Sequence, residues 1–163
     1  MNVILEGCDG GGKSTLAQVI SDATGARVQQ GSGPPKAPGE IEARAAAYLD
    51  MDRVIFDRHP CISQPVYAEI RGEKLSPKLQ SRIAQLYSQD TNLYIYCRSD
   101  GLEHHVVKGH EDPAHIAALV AKFDSILISY DRWALAHAHM IYRIGEDVRI
   151  VVQAAQTYLG TGR

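Results

Sequence analysis

The chain is short of several things that would narrow its class. Across 163 residues it has three cysteines, Cys8, Cys61 and Cys97, an odd set with no CxxC pair. That excludes a disulfide framework, fits a reducing compartment and marks all three as structural thiols. No run of about 18 apolar residues is present to span a bilayer. The first strand-like run begins at Asn2, which leaves no room for a charged and then apolar secretory signal. The expected location is therefore cytoplasmic, with no membrane partner. A net charge of −2 and a pI near 6.4 exclude a surface coated with positive charge, so any nucleic-acid contact must be local. Only RGEKLSPKLQSR, 71–82, leans that way, with Arg71, Lys74, Lys78 and Arg82 against Glu73. There is no internal repeat and no low-complexity tract, and at this length a single domain over 1–163 is expected.

What is present is an alternation. NVILE (2–6), ARVQQ (26–30), RVIFD (53–57), NLYIYC (92–97) and HMIYRI (139–144) have the length and the β-branched or aromatic content of strands. Helical patterns fall between them at 13–24, 40–51, 63–70, 76–89, 112–137 and 146–159. Ser76-Pro77 and Asp112-Pro113 each put a capping side chain before a proline at a first helical position. In the long helix Ile116, Val120, Phe123, Leu127 and Tyr130 recur at steps of three and four, a stripe that can pack on a sheet. Short apolar strands separated by helices predict an α/β fold of three layers, a five-stranded parallel sheet with helices on both faces. Ligands in such sheets bind beyond the carboxyl ends of the strands. The loop GSGPPKAPG, 31–39, and the residues after Asp57 and Cys97 lie at that end.

So does GCDGGGKS, 7–14. Gly7, four residues, Gly12, Lys13 and Ser14 form the phosphate-loop pattern, with a strand before it and a helix after it. Glycines let backbone N–H groups turn inward around a β-phosphate, and the following helix adds partial positive charge at its N-terminus. Gly7, Cys8, Asp9, Gly10, Gly11, Gly12, Lys13, Ser14 and Thr15 are thus the candidate ATP-binding residues. Lys13 can reach the β- and γ-phosphates, and the Ser14 hydroxyl can ligate Mg²⁺. FDRHP, 56–60, puts Asp57 and Arg58 on the same rim. There a carboxylate can hold the metal or take a proton from an acceptor hydroxyl, and a guanidinium can bind phosphate as a fork.

GCDGGGKST followed by a strand ending in Asp-Arg resembles the thymidylate kinase branch of the nucleoside and nucleotide kinases, over most of the chain. The resemblance implies a P-loop kinase using ATP and Mg²⁺. It implies that Asp9 faces the acceptor, that Arg58 binds transferred or acceptor phosphate, that Arg98 lies near the ATP, and that the turn Ile144-Gly145-Glu146-Asp147 sits beside the adenine. A GTPase switch is disfavoured, since no NKxD-type or DxxG segment follows the loop.

The chain departs from that branch in two places. Its candidate lid at 99–113 has Lys108 and the histidines His104, His105 and His110 but no arginine, and 31–39 lacks the arginine-glutamate-proline-glycine signature. The spacing of these histidines and His115 matches no common zinc pattern, so a mobile lid is expected instead. DRHPCISQPVYAEIRG resembles the corresponding stretch of small phage kinases that phosphorylate the 5-hydroxymethyl group of hydroxymethyluracil in DNA. That acceptor is a hydroxyl and must lose a proton, giving Asp57 or Asp9 a base role. The acceptor segment is then 58–90, where the basic run could meet DNA phosphates and Tyr67 could enter the pocket; Trp133 is expected in the core. Host cytoplasm is the expected location if the chain is phage-encoded. A free deoxynucleotide acceptor, as in a thymidylate kinase, stands as the alternative, and a non-catalytic ATP-binding switch as a third.

Overall fold

The structure, a computed structural model, describes residues 1–100 and 113–160. Its elements alternate as the sequence requires: β1 (Asn2–Glu6), α1 (Lys13–Thr24), β2 (Arg27–Gln30), α2 (Glu40–Leu49), β3 (Val54–Asp57), α3 (Pro60–Arg71), α4 (Pro77–Tyr87), β4 (Asn92–Cys97), α5 (Pro113–His137), β5 (Met140–Tyr142) and α6 (Val148–Leu159). The strands form one five-stranded sheet in the order β2-β3-β1-β4-β5, and every pairing is parallel. Helices cover both faces, so the expected three-layer α/β architecture is the one observed.

Side-chain alternation along the strands sorts the core into two halves. Val3, Leu5, Ile55 and Ile95 point to one face, where Leu16, Ala17 and Ile20 of α1 and Val151, Ala155 and Leu159 of α6 cover them. Ile4, Phe56, Tyr94 and Tyr96 point to the other, against Tyr48, Ile62, Phe123 and Tyr130. The same period of two carries past the apolar residues: Asp57 follows Ile55 onto the α1 face, and Glu6 follows Ile4 onto the face covered by α5. Two carboxylates at adjacent strand ends therefore point in opposite directions through the sheet.

Several expected boundaries move. The helix expected at 63–70 begins at Pro60, because proline suits a first helical position and the Nδ1 of His59 accepts the Cys61 N–H at 3.2 Å. Pro65 sits in the second turn of that helix. The last strand covers only Met140–Tyr142 of the expected 139–144, since its partner β4 ends at Cys97 opposite Tyr142. Asp147 caps α6 instead of lying inside it, accepting the Arg149 N–H at 3.0 Å. The stripe on α5 holds for Phe123, Leu127 and Tyr130. Val120 is 39% exposed, so the stripe does not reach the sheet there. The side chains of Ile116 and His115 lie outside the described ones. Outside the described residues too lie Asp112, most of the expected lid at 99–113, and with it Lys108, His104, His105 and His110. All three cysteines are buried thiols, and Trp133 packs half-buried among Tyr94, Tyr96 and Tyr130. Among the described residues no helix is long and apolar enough to cross a membrane.

Candidate active site

The sheet order reverses direction around β1 and β3: the chain leaves β1 toward β2 and leaves β3 toward β4. A crevice opens at such a point beyond the carboxyl ends of the two strands. It is a cleft of about 830 Å³. Its walls are the 9–15 loop, the stretch 30–35, Asp57 and Arg58, and the face of α3 bearing Pro60, Ser63, Gln64, Tyr67 and Arg71, with Arg44 and Tyr48 of α2 behind.

The loop after β1 is shaped as a cradle. A Cβ on Gly11 would lie on the Cys97 carbonyl oxygen, and one on Gly7 would do the same. Neither position can carry a side chain while the loop keeps this path. Gly12 caps α1 at φ 76 with no side-chain acceptor, so the N–H groups of the first turn are not capped by a side chain. Lys13 is buried and donates from Nζ to the Cys8 carbonyl at 2.8 Å, within the loop. Burial, then the Arg58 charge, lowers its pKa, while Glu6, Cys97 and Asp57 oppose the shift. Glycines, a first turn without a side-chain cap and a buried ammonium are the chemistry that can receive a polyphosphate.

Asp57 reaches this loop because of the face it occupies. Its Oδ2 accepts the Ser14 hydroxyl at 2.6 Å, which brings together the two residues expected to hold a metal. A hydroxyl and a carboxylate are hard oxygen donors at the phosphate end of a loop, the donor set that suits Mg²⁺. Arg58 takes a positive φ of 74°, a cost of roughly 1–2 kcal/mol for a side-chain-bearing residue. Its N–H is held by the Leu5 carbonyl at 3.0 Å. That bend turns the guanidinium along the cleft, where it donates to Asp9 Oδ1 at 2.6 Å and to the Tyr67 hydroxyl at 2.9 Å. The Arg58 Cζ also lies 5.7 Å from the Tyr67 ring centroid. Asp9, Lys13, Ser14, Asp57, Arg58 and Tyr67 thus meet in one cleft.

Arg98 and Gly145 stand apart from it, on the opposite flank of the loop. Arg98 follows β4 and is held by Asp131 of α5, from Nε at 3.0 Å, and by Asp100 at 3.1 Å. Gly145 makes its turn at φ 94. The neighbouring Ile144 is 53% exposed, and its Cγ1 would be 2.9 Å from a Cβ on Gly12, so this turn borders the loop itself. The basic run is dispersed: Arg71 lines the cleft and pairs with Glu73, and Arg82 bonds Gln85 on the exposed side of α4.

One residue beneath the site was not singled out from the sequence. Glu6 is fully buried; its carboxylate accepts the His59 N–H at 2.6 Å and the Tyr130 hydroxyl at 2.9 Å. Burial pushes its pKa up to about 7 against the opposing Arg58 charge, these two hydrogen bonds and Lys13. It ties β1 to the turn that carries Arg58 and to α5. A polar residue on the inward face at the end of a central strand was the available signal.

No protein-family model matches the chain, and no match was found among curated protein sequences. Solved structures do match. The YorR protein of Bacillus subtilis, in complex with phosphorylated GDP, aligns over 94% of this chain and 92% of its own at 21% identity and a TM-score of 0.64. Deoxyadenosine kinase from M. mycoides, with the products dCMP and dCDP, aligns over 98% of both chains at 15% identity and a TM-score of 0.57. The same enzyme with dATP gives 14% identity and 0.54. At these identities the likeness is one of fold: the chain shares its α/β architecture with YorR and with the deoxyadenosine kinase.

Proposed function

We propose that the chain is an ATP-dependent P-loop kinase that transfers the γ-phosphoryl group to a nucleotide-type acceptor. The observation that carries this reading is the meeting of the phosphate loop with the Asp57-Arg58 corner, Ser14 on Asp57 and Asp9 on Arg58. A glycine turn with no phosphate to hold has no use for a buried lysine or for a strained arginine aimed along its cleft. The kinase fold and the nucleotides in the matched structures support the reading from outside the chain.

In this mechanism the loop N–H groups and Lys13 hold the β- and γ-phosphates, and Lys13 meets negative charge as it develops on the transferred group. Ser14 and Asp57 would hold Mg²⁺, which would supply neutralisation of phosphate charge. Arg58 steadies the transferred phosphoryl group from the acceptor side. A hydroxyl acceptor must lose its proton to a carboxylate on this rim. Both carboxylates are engaged, Asp57 with Ser14 and Asp9 with Arg58. Asp57 is buried and is taken as the metal ligand, so we assign the proton to Asp9, whose side chain is 73% exposed.

For the acceptor we favour the 5-hydroxymethyl group of hydroxymethyluracil in DNA, on the resemblance of DRHPCISQPVYAEIRG to the phage DNA kinases and on Arg71 of the basic run standing at the cleft. A free deoxynucleoside or its monophosphate is the second reading, favoured by the deoxyadenosine kinase match. Labelled ATP offered with hydroxymethyluracil DNA, ordinary DNA, free deoxynucleosides and their monophosphates separates the two. Label in hydroxymethyluracil DNA alone is the expected result. Label only in free nucleosides or nucleotides rejects the DNA acceptor, and nucleotide-dependent partner binding with no label in any acceptor would point to a non-catalytic switch.

A further inference from the structure

By composition the stretch 31–39, with three glycines and three prolines, is a flexible loop, and it lacks the signature that the resembled family carries there. In the structure it is tied down along its length by one stripe of α2. Glu40, Arg44 and Tyr48 stand four residues apart and so share a helix face. The Glu40 carboxylate accepts the Lys36 and Ala37 N–H groups at 2.6 and 3.2 Å. Arg44 donates to the Gly33 carbonyl and to Glu40, each at 2.7 Å. The Tyr48 hydroxyl donates to the Gln30 carbonyl at 3.1 Å, and the Gly31 N–H bonds the Asp57 carbonyl at 2.9 Å.

Arg44 is the tie that joins the other two. Its side chain is only 12% exposed, and its two amino groups bridge the loop backbone to the helix carboxylate that holds the next part of the loop. The held segment is a wall of the cleft, and it abuts the acceptor-side arginine: a Cβ on Gly31 would be 3.5 Å from the Arg58 Cβ. The phosphate loop is braced elsewhere, against Cys97 and at the start of α1.

We propose that Arg44 is a positioning residue for the acceptor, holding 31–35 as a preformed wall of the cleft and through it setting acceptor affinity without touching the donor site. The inference rests on the kinase reading for what binds there. Preformation matters because a wall already ordered does not have to lose conformational freedom when the acceptor arrives.

The test uses the full chain with Arg44→Met and Arg44→Lys, reading acceptor KM and kcat, ATP affinity by calorimetry, and amide exchange across 31–37. Arg44→Met is expected to speed exchange at Lys36 and Ala37, to raise acceptor KM about tenfold, and to leave ATP affinity within twofold. Lysine keeps the charge but loses the planar fork, and is expected to restore neither the protection nor the KM. Unchanged exchange in Arg44→Met overturns the proposal. So does an equal loss of ATP affinity, or fast exchange with an unchanged acceptor KM. Full recovery of KM by lysine with exchange still fast would mean that the charge itself binds the acceptor, and overturns it too. If the wild-type chain phosphorylates no acceptor the kinase reading falls, while exchange still judges the hold of Arg44 on the loop.

Discussion

The Ser14 hydroxyl donates to the Asp57 carboxylate across 2.6 Å, joining the first turn of α1 to the end of β3. Neither residue has this partner by sequence proximity. The contact exists because alternation along β3 sends Asp57 to the face that α1 covers, one position after Phe56 enters the opposite core. A strand end, a helix start and the glycine loop thereby meet at one pair of oxygens.

Asp57→Asn separates the proposed metal role of that pair from a purely structural one. The amide keeps a partner for Ser14 but loses the charge a divalent cation requires. ATP affinity in the wild type is expected to rise on adding Mg²⁺, and in Asp57→Asn this gain should largely vanish while affinity without metal stays similar. Fluorescent-nucleotide titrations with and without Mg²⁺ read it directly; an undiminished Mg²⁺ effect would rule Asp57 out as a ligand.

Lys13→Ala removes the buried ammonium from the loop. Phosphoryl transfer is expected to fall about a hundredfold or more, since one preorganised charge at the transferred group is worth that much. Melting temperature should change little or rise, because burial already disfavours the charged amine that is removed. Steady-state turnover beside thermal denaturation checks both, and turnover within a few-fold of wild type would refute the loop assignment.

Asp9→Asn tests the acceptor side of the same loop. With Asp9 as proton acceptor, kcat should drop about a hundredfold while ATP affinity holds within a few-fold. Single-turnover rates measure the first and calorimetry the second. A loss confined to ATP binding would return Asp9 to the donor side alone.

How much of this was legible beforehand depends on how local each relationship is. The loop at 7–15 and the Asp57-Arg58 corner announce themselves, because backbone cradling and strand-end placement are written in adjacent residues. The five strands are legible in their short apolar runs, β1 and β4 at both ends, but the extent of β5 is not: it stops where β4 offers no further partner, a fact about the neighbour. Pro60 hid the start of α3, because a proline reads as a break until a capping side chain before it is recognised. Arg44 was invisible for a different reason. A Glu–Arg pair four apart on a helix looks like a solvated face, and only the returning loop turns it into a clamp. Glu6 looked like the polar end of a strand until α5 placed Tyr130 over it.

Gly11→Ala probes the fit of the loop against β4. The added Cβ falls on the Cys97 carbonyl oxygen, and since that neighbour is backbone at the end of a central strand, the loop must give way. Overpacking of this kind costs about 1–3 kcal/mol, a fall of roughly 2–4 °C in melting temperature per kcal/mol for a chain of this size. ATP affinity should fall with it as the N–H groups lose their common focus. Alanine tolerated with neither effect would show that the loop path is not fixed by that contact.

Glu6 gives the pH dependence a sign. Its folded pKa of about 7 lies above the ordinary carboxylate value of 4.5, so between these values the folded chain holds a proton that the unfolded chain has released. The carboxyl therefore costs nothing below about pH 4.5, and its cost grows as pH rises to about 7, where it levels off at roughly 3 kcal/mol as an upper figure. His59, buried with its pKa lowered to about 3, pulls the other way between its two values, because there the unfolded chain binds the extra proton. The two slopes partly cancel in the wild type, so the contribution of Glu6 has to be read as a difference. Glu6→Gln keeps an oxygen for the His59 N–H and removes the titration. Its stability relative to wild type, from urea unfolding at a series of pH values, should become more favourable as pH climbs from 4.5 to 7 and then stay level. A difference that does not change with pH would mean that Glu6 is already ionised at pH 5 within the fold, its burial penalty met in full by Arg58, Lys13 and the two hydrogen bonds it accepts.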